Sequence, residues 1–213
     1  IHFVGNVMID TLLAHQERAT ALNVAAGMGF ENGDYVLVTL HRPSNVDSRD
    51  RLAPLLEALG QVSLLTGHPV VLPLHPRTAA RIRELRLEHL LSPLHVLPPL
   101  RYLEFLGLMA SAGLVLTDSG GIQEETTVLG VPCITLRSNT ERPVTITHGT
   151  NRLYYGDPDG IPDEVRSALL ERREATIPPL WDGRAADRIA QLTLESEVDP
   201  AAAAGPAGRV SAG

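Results

Sequence analysis

Five short aliphatic runs alternate with longer stretches of helical period, and this alternation restricts the fold more than any other feature of the chain. The runs are "YVLVTL" (35–40), "PVVLPL" (69–74), "HVLP" (95–98), "LVLT" (114–117) and "PCITL" (132–136). Each is bounded by Gly, Pro or polar residues, as buried strands are. Between them lie "RLAPLLEALGQVSLL", "TAARIRELRLEHLL", "RYLEFLGLMASA" and "GIQEETTVL", all readable as helices. In the first of these Leu52, Leu55, Leu56, Leu59 and Val62 share one face, with Ser48 or Asp50 available as a cap. Near-continuous apolar strands joined by helices predict an α/β fold: a Rossmann-like parallel sheet with helices on both faces. Ligands then bind where the strand C-termini line one edge.

The flanks read differently. Residues 6–28 predict a helix ahead of the first strand. "DGIPDEVRSALLERREA" and "DGRAADRIAQLTLE" predict two more after the last. The main domain is expected over 1–196, with a connecting helix within 1–30 and a C-terminal helix within 181–196. The Ala/Gly/Pro-rich residues 197–213 read as a disordered tail. The chain opens on Ile1, not Met, and is read as a fragment or a processed product.

Composition narrows the function. A net charge of −7 without a Lys/Arg cluster argues against nucleic-acid binding. No apolar run approaches the roughly 20 residues that span a bilayer, so no membrane partner is expected. The single cysteine, Cys133, lies in an apolar stretch and reads as a core residue. A reducing, cytoplasmic setting fits. The eight histidines are scattered, without metal-ligand spacing, so no metal is expected.

Polar residues gather at the predicted strand ends. They are His41, Arg42 and Ser44 after the first strand, His75 and Arg77 after the second, and Arg137, Glu141 and Arg142 after the fifth. Basic groups recurring on one edge of an acidic protein point to a local anion site. The fourth strand runs into "TDSGGIQEE" (117–125). Unpaired N–H groups at a helix start donate to phosphate oxygens, and Gly120 and Gly121 allow close approach. Ser119 adds a hydroxyl. Glu125, one turn on, would repel phosphate but accept from ribose hydroxyls, which suggests a nucleoside diphosphate. The alternative is that Ser119 merely caps the helix, with Glu124 and Glu125 favouring its N-terminus. Neither "GxxxxGK[ST]" nor "GxGxxG" is present.

The segments "VGNVMIDTLL", "VTLHRPSNVD", "LPLHPRT", "LVLTDSGGIQEETTVLGVPCITLRSNTERP" and "GTNRL" occur in an order that resembles the C-terminal half of the non-hydrolysing UDP-N-acetylglucosamine 2-epimerases. The resemblance covers residues 3–194. It implies one half of a two-domain glycosyltransferase-B-like architecture, with the active site in the cleft between domains and no cofactor. It implies interconversion of UDP-N-acetylglucosamine and UDP-N-acetylmannosamine by elimination and re-addition of UDP. Partners implied are UDP, a UDP-N-acetylhexosamine, an N-terminal catalytic domain and a second copy in a homodimer.

By resemblance Ser119, Gly120 and Gly121 hold the diphosphate, Glu125 the ribose and Phe105 the uracil, with Arg142 facing the phosphates or sugar. His41 matches the family's cleft histidine and would stabilise or protonate the departing diphosphate. Arg42 and His75 match positions that touch a second, activating UDP-sugar in some members. This chain reads "HRPS" (41–44) where some members read "HRRE", which removes an Arg and an acid from that activator site. The carboxylates that move the C2 proton belong to the family's N-terminal domain. Glu124 reads as a helix-dipole or surface residue rather than their substitute. Rival readings are a UDP-sugar glycosyltransferase, a hydrolysing epimerase, or a non-catalytic UDP-sugar-binding module.

Overall fold

The computed structural model describes residues 1–171 and 173–198. Helix α1 (Val7–Ala21) and the short α2 (Val24–Gly27) precede strand β1 (Val36–Thr39). Then follow α3 (Pro43–Val46), α4 (Arg49–Thr66), β2 (Val70–Pro73), α5 (Pro76–Glu84), β3 (His95–Leu97) and α6 (Tyr102–Ser111). The second half runs β4 (Leu114–Thr117), α7 (Gly120–Leu129), β5 (Cys133–Thr135), α8 (Val144–Thr147), β6 (Asn151–Leu153), α9 (Ile161–Leu170) and α10 (Ala185–Val198).

The six strands form one sheet in the order β3-β2-β1-β4-β5-β6, and every pairing is parallel. This is the doubly wound Rossmann order, whose direction of winding reverses between β1 and β4. Alternate strand residues feed two cores. Val36, Val38, Leu114 and Leu116 pack with Leu52, Leu55 and Leu59 of α4 and Val165 of α9. Leu37, Val71 and Val115 face the other way, toward Leu12 of α1 and Leu106 and Met109 of α6. Both faces are therefore covered, as the aliphatic strands require. Cys133 is buried in the sheet and unpaired. Among the described residues no helix is long and apolar enough to cross a membrane.

Several local expectations are corrected. The helix expected over 6–28 breaks after Ala21, because Asn23 takes a left-handed conformation (φ 48°) and starts the four-residue α2. Ser48, not Asp50, is the N-cap of α4, and its side chain makes no capping bond. The helix expected through "LEHLL" stops at Glu84. Arg86 turns left-handed (φ 55°), the Leu87 N–H bonds the Ile82 carbonyl at 2.9 Å, and the Arg86 N–H bonds that of Arg83 at 3.1 Å. These two bonds form a Schellman motif with arginine in the usual glycine place. Fully buried Leu87 explains the stop, since continuing the helix would carry it away from the core. A 3₁₀ turn, Glu88–Leu91, follows. The helix in "DGIPDEVRSALLERREA" ends at Leu170.

Strand β6 was not expected. Its first residue, Asn151, looks like a turn former, yet its buried side chain bonds Thr135, Gln123 and Thr145. The C-terminal helix begins at Ala185, not 181, and takes in residues 197 and 198. The rest of the expected tail lies outside the described residues. Helix α10 is capped from a distance: the Asp10 carboxylate of α1 accepts from the Ala185 and Ala186 N–H groups at 3.1 and 2.7 Å. Arg188 reaches back to the Val4 carbonyl, and Gly5, at φ 98°, passes so close to the Leu180 carbonyl that a Cβ would collide with it.

An L-residue in the left-handed region costs roughly 1–2 kcal/mol that glycine avoids. Arg86→Gly should therefore stabilise the fold by about 0.5–1 kcal/mol after glycine's greater loss of chain entropy. Arg86→Val, β-branched, should destabilise it. Urea midpoints of the two variants, moving in opposite directions from the parent, check the assignment.

Candidate functional site at the sheet switch point

At the point where the winding reverses, β1 and β4 end side by side, with the Thr39 and Thr117 hydroxyls 2.7 Å apart. The chain leaves β1 through His41 and Arg42 and leaves β4 through Asp118 and Ser119. The Asp118 side chain is fully buried (0% exposed) and joins the two loops. Its Oδ2 accepts from the backbone N–H groups of His41 (3.0 Å) and Arg42 (2.9 Å) and from Asn45 Nδ2 (3.2 Å). Its Oδ1 lies 2.9 Å from His41 Nδ1. The Arg42 side chain returns to the Asp118 carbonyl through Nε, at 3.2 Å. Burial alone would raise the Asp118 carboxyl. The bonds from the His41 side chain and from the Arg42 and His41 backbone outweigh it and hold the group below its ordinary value. The stability this contributes is complete above the ordinary carboxylate value and is lost as pH falls through the lowered one.

Helix α7 starts from this knot. Ser119 is its N-cap, and its side chain makes no capping bond. Ser119 thus stands at the cap position, as the alternative reading had it, but its hydroxyl is not used for capping. Gly120 and Gly121 form the first turn, and a side chain at Gly120 would meet nothing within 4 Å, so this face of the backbone is open. A cavity of about 260 Å³ lies beside the N-cap, lined by His41, His75, Leu100, Phe105, Ser119 and Ile122. The His41 and His75 rings stand 5.3 Å apart, centre to centre. His75 caps α5 by accepting the Arg77 N–H on Nδ1 at 3.2 Å.

Glu125 and Arg142 do not line this cavity. Glu125 is 6% exposed, and the Tyr102 hydroxyl donates to its Oε1 at 3.2 Å. Burial raises the Glu125 carboxyl, the bond from Tyr102 opposes the rise, and neighbouring Glu124 adds to it. Burial and the same carboxylate push the Tyr102 hydroxyl up to about 12. Arg142 Nε sits 2.9 Å from Glu124 Oε1, which also accepts from Asn6 Nδ2 at 2.9 Å. Glu124 is itself 6% exposed, so the surface reading of it is corrected: it is a buried bridge from α7 to the start of α1 and to Arg142. These groups line a second groove with Phe3, Met8 and Trp181.

The basic cluster is smaller than the sequence suggests. Arg77 is held by Asp47 through a bidentate pair at 2.9 and 2.7 Å. Arg137 is held by Glu141 at 2.9 and 2.6 Å. His41, Arg42 and His75 remain at the strand ends beside the α7 turn, while Arg142 is held by Glu124. Sequence reasoning passed over Asp118, Asn45 and Tyr102. An Asp directly before a glycine turn was the one available signal for Asp118. Asn45 and Tyr102 carry none without the fold. Among the described residues no group of three His, Cys, Asp or Glu side chains is placed to hold a metal ion.

The family model for UDP-N-acetylglucosamine 2-epimerase matches residues 1–194. The chain belongs to that family. A UDP-N-acetylglucosamine 2-epimerase from Methanococcus maripaludis is 36% identical over 200 residues, 91% of this chain and 54% of that protein. A UDP-2,3-diacetamido-2,3-dideoxy-D-glucuronate 2-epimerase from Pseudomonas aeruginosa is 39% identical over 188 residues, 88% of this chain and 51% of that one. The solved UDP-GlcNAc 2-epimerase of Methanocaldococcus jannaschii, in complex with UDP-GlcNAc and UDP, superposes with a TM-score of 0.83 at 37% identity. It covers 92% of this chain and 55% of that one. The chain thus spans about half the length of the relatives it matches.

The raised Glu125 carboxyl gives a prediction of definite sign. A carboxyl raised by folding disfavours the folded state once ionised, so stability falls as pH rises through the raised value. Glu125→Gln removes that titration. Its stability relative to the parent should grow as pH rises above the ordinary carboxylate value, measured as urea midpoints. A difference that is flat or shrinks with pH would contradict the buried placement of this carboxylate.

Proposed function

We propose that this chain is the nucleotide-binding half of a UDP-N-acetylglucosamine 2-epimerase. The observation that carries the reading is the open first turn of α7 at the sheet switch point. There the Ser119 hydroxyl, which makes no capping bond, lines the same cavity as His41; two glycines follow it in the chain, and a buried carboxylate, Glu125, lies one turn on. The diphosphate would take the Gly120 and Gly121 N–H groups, the Ser119 hydroxyl and the positive end of the helix. Arg142 would leave Glu124 to meet the phosphates or the sugar. Glu125 would accept from the ribose hydroxyls, and Phe105, on the wall of the cavity, would lie against the uracil. Family membership and the UDP-bound relative support this assignment.

In the reaction a base removes the proton from C2 of the sugar and the C1–O bond breaks, its electron pair leaving with UDP. A glycal-type intermediate remains. Protonation of C2 on the opposite face and return of UDP to C1 complete the inversion. His41 would stabilise or protonate the departing diphosphate. No residue of this chain is given the C2 proton transfers, which the family resemblance assigns to the other half of the protein. Arg42 and His75, as an activator site, would place a second UDP-sugar directly against the first, since His75 shares a wall with His41.

A second reading concerns the sugar. The relative at 39% identity acts on a diacetamido uronate, and both substrates share the UDP group that this half would hold. Sugar choice would then rest on the groove around Glu124 and Arg142 and on the facing domain.

Calorimetric titration of this chain with UDP tests the proposal. Saturable binding is expected, weakened about tenfold or more (~1.4 kcal/mol) by Ser119→Ala and by Glu125→Ala. Equal affinity in parent and variants, or no binding by the folded chain, would count against the α7 turn as a nucleotide site.

A further inference from the structure

We infer that Asp118 is a positioning residue that fixes His41 in a single tautomer, with the proton on Nδ1 and with Nε2 as the working nitrogen. The role of that nitrogen at a departing diphosphate rests on the function proposed above; the tautomer does not.

The inference follows from counting donors. Asp118 Oδ2 is occupied by two backbone N–H groups and by Asn45 Nδ2. Its Oδ1 is left to face His41 Nδ1 at 2.9 Å, with only a longer 3.2 Å contact from the His41 N–H. A buried carboxylate below its ordinary value is an acceptor only. His41 Nδ1 must therefore carry a hydrogen, whether the ring is neutral or charged. In the neutral ring Nε2 is then the bare nitrogen, and every proton that His41 gains or gives passes through Nε2. Asn45 holds the carboxylate in turn: its amide is fully buried and anchored by a second bond, to the Leu136 carbonyl at 3.1 Å. The imidazole itself stays 37% exposed on the cavity side. The neighbouring ring has the opposite constraint, because His75 Nδ1 accepts a backbone N–H and so carries no hydrogen when neutral. The other charged groups close to the knot are Arg42 and Arg137, the latter neutralised by Glu141. None of them competes for His41 Nδ1.

The geometry also states what Asp118→Asn does. The carboxamide oxygen must stay at the Oδ2 position, where the backbone donors of His41 and Arg42 converge. The NH₂ group then occupies the Oδ1 position and donates to His41 Nδ1. The ring is forced to the other tautomer, protonated on Nε2, in an otherwise unchanged fold.

Long-range ¹H–¹⁵N NMR of the ¹⁵N-histidine-labelled chain reads the two tautomers directly, with His41 assigned by its disappearance in His41→Gln. The expected result for neutral His41 is a protonated Nδ1 and a bare Nε2, and the reverse in Asp118→Asn. Nε2-protonated His41 in the parent, a fast-exchanging mixture like free imidazole, or a folded Asp118→Asn with an unchanged pattern would each overturn the inference. Should Asp118→Asn not fold, the parent spectrum alone decides. Titration of the same sample with UDP separates the two claims. Failure to bind UDP would sink the nucleotide reading while a single Nδ1–H tautomer stood, and the wrong tautomer with intact UDP binding would sink only the present inference.

Discussion

One buried carboxylate holds the working edge of the sheet together. Strands β1 and β4 are neighbours only because the winding reverses between them, and their following loops diverge to opposite faces. Nothing in the sheet ladder fixes those loops to one another. Asp118 does so, by gathering two backbone N–H groups, an imidazole and an amide from the β1 side while lying at the entrance to α7. The direction of α7, the openness of its glycine turn and the aim of His41 all follow from that knot. A buried charge is tolerable only when so fully met. Here the set of donors that satisfies it is also the set that shapes the site.

The fold was largely legible because its central strands are buried on both faces; the edge strand β3, expected to be buried as well, is instead exposed at His95 and Val96. Continuous aliphatic runs separated by amphipathic helices leave few other architectures, and all five expected strands stand within a residue or two of their expected bounds. What escaped was decided by tertiary context. Asn151 begins a strand because Thr135, Gln123 and Thr145 satisfy its amide deep in the structure, which no local pattern announces. Arg86 takes a left-handed conformation that glycine usually marks, and Asn23 one that asparagine also adopts without announcing a helix break. At Arg86 the burial of neighbouring Leu87 outweighs the local preference.

The site was legible at the level of backbone and less so at the level of charge. The glycine turn, Ser119, and His41 at the next strand end could be placed from spacing alone. Which basic groups are free could not be, since Arg77 and Arg137 are neutralised by Asp47 and Glu141, residues that spacing does not pair with them uniquely. Glu124 and Glu125 show the limit most clearly. Adjacent and identical in type, they point to different surroundings, one to Asn6 and Arg142, the other to Tyr102. A helix turns about 100° per residue, and only the packing around α7 says what each direction meets.

The attachment of α10 to α1 carries a consequence for the order of folding. The Asp10 carboxylate meets Ala185 across 175 residues of sequence, while the strands pair through much shorter crossovers. Loop closure over that distance is favourable only after the intervening chain is compact. On this ground α10 is expected to dock after the sheet has formed, and its release to be an opening that leaves the sheet intact. The final helix thus acts as a latch, closed only on a domain whose core is already in place.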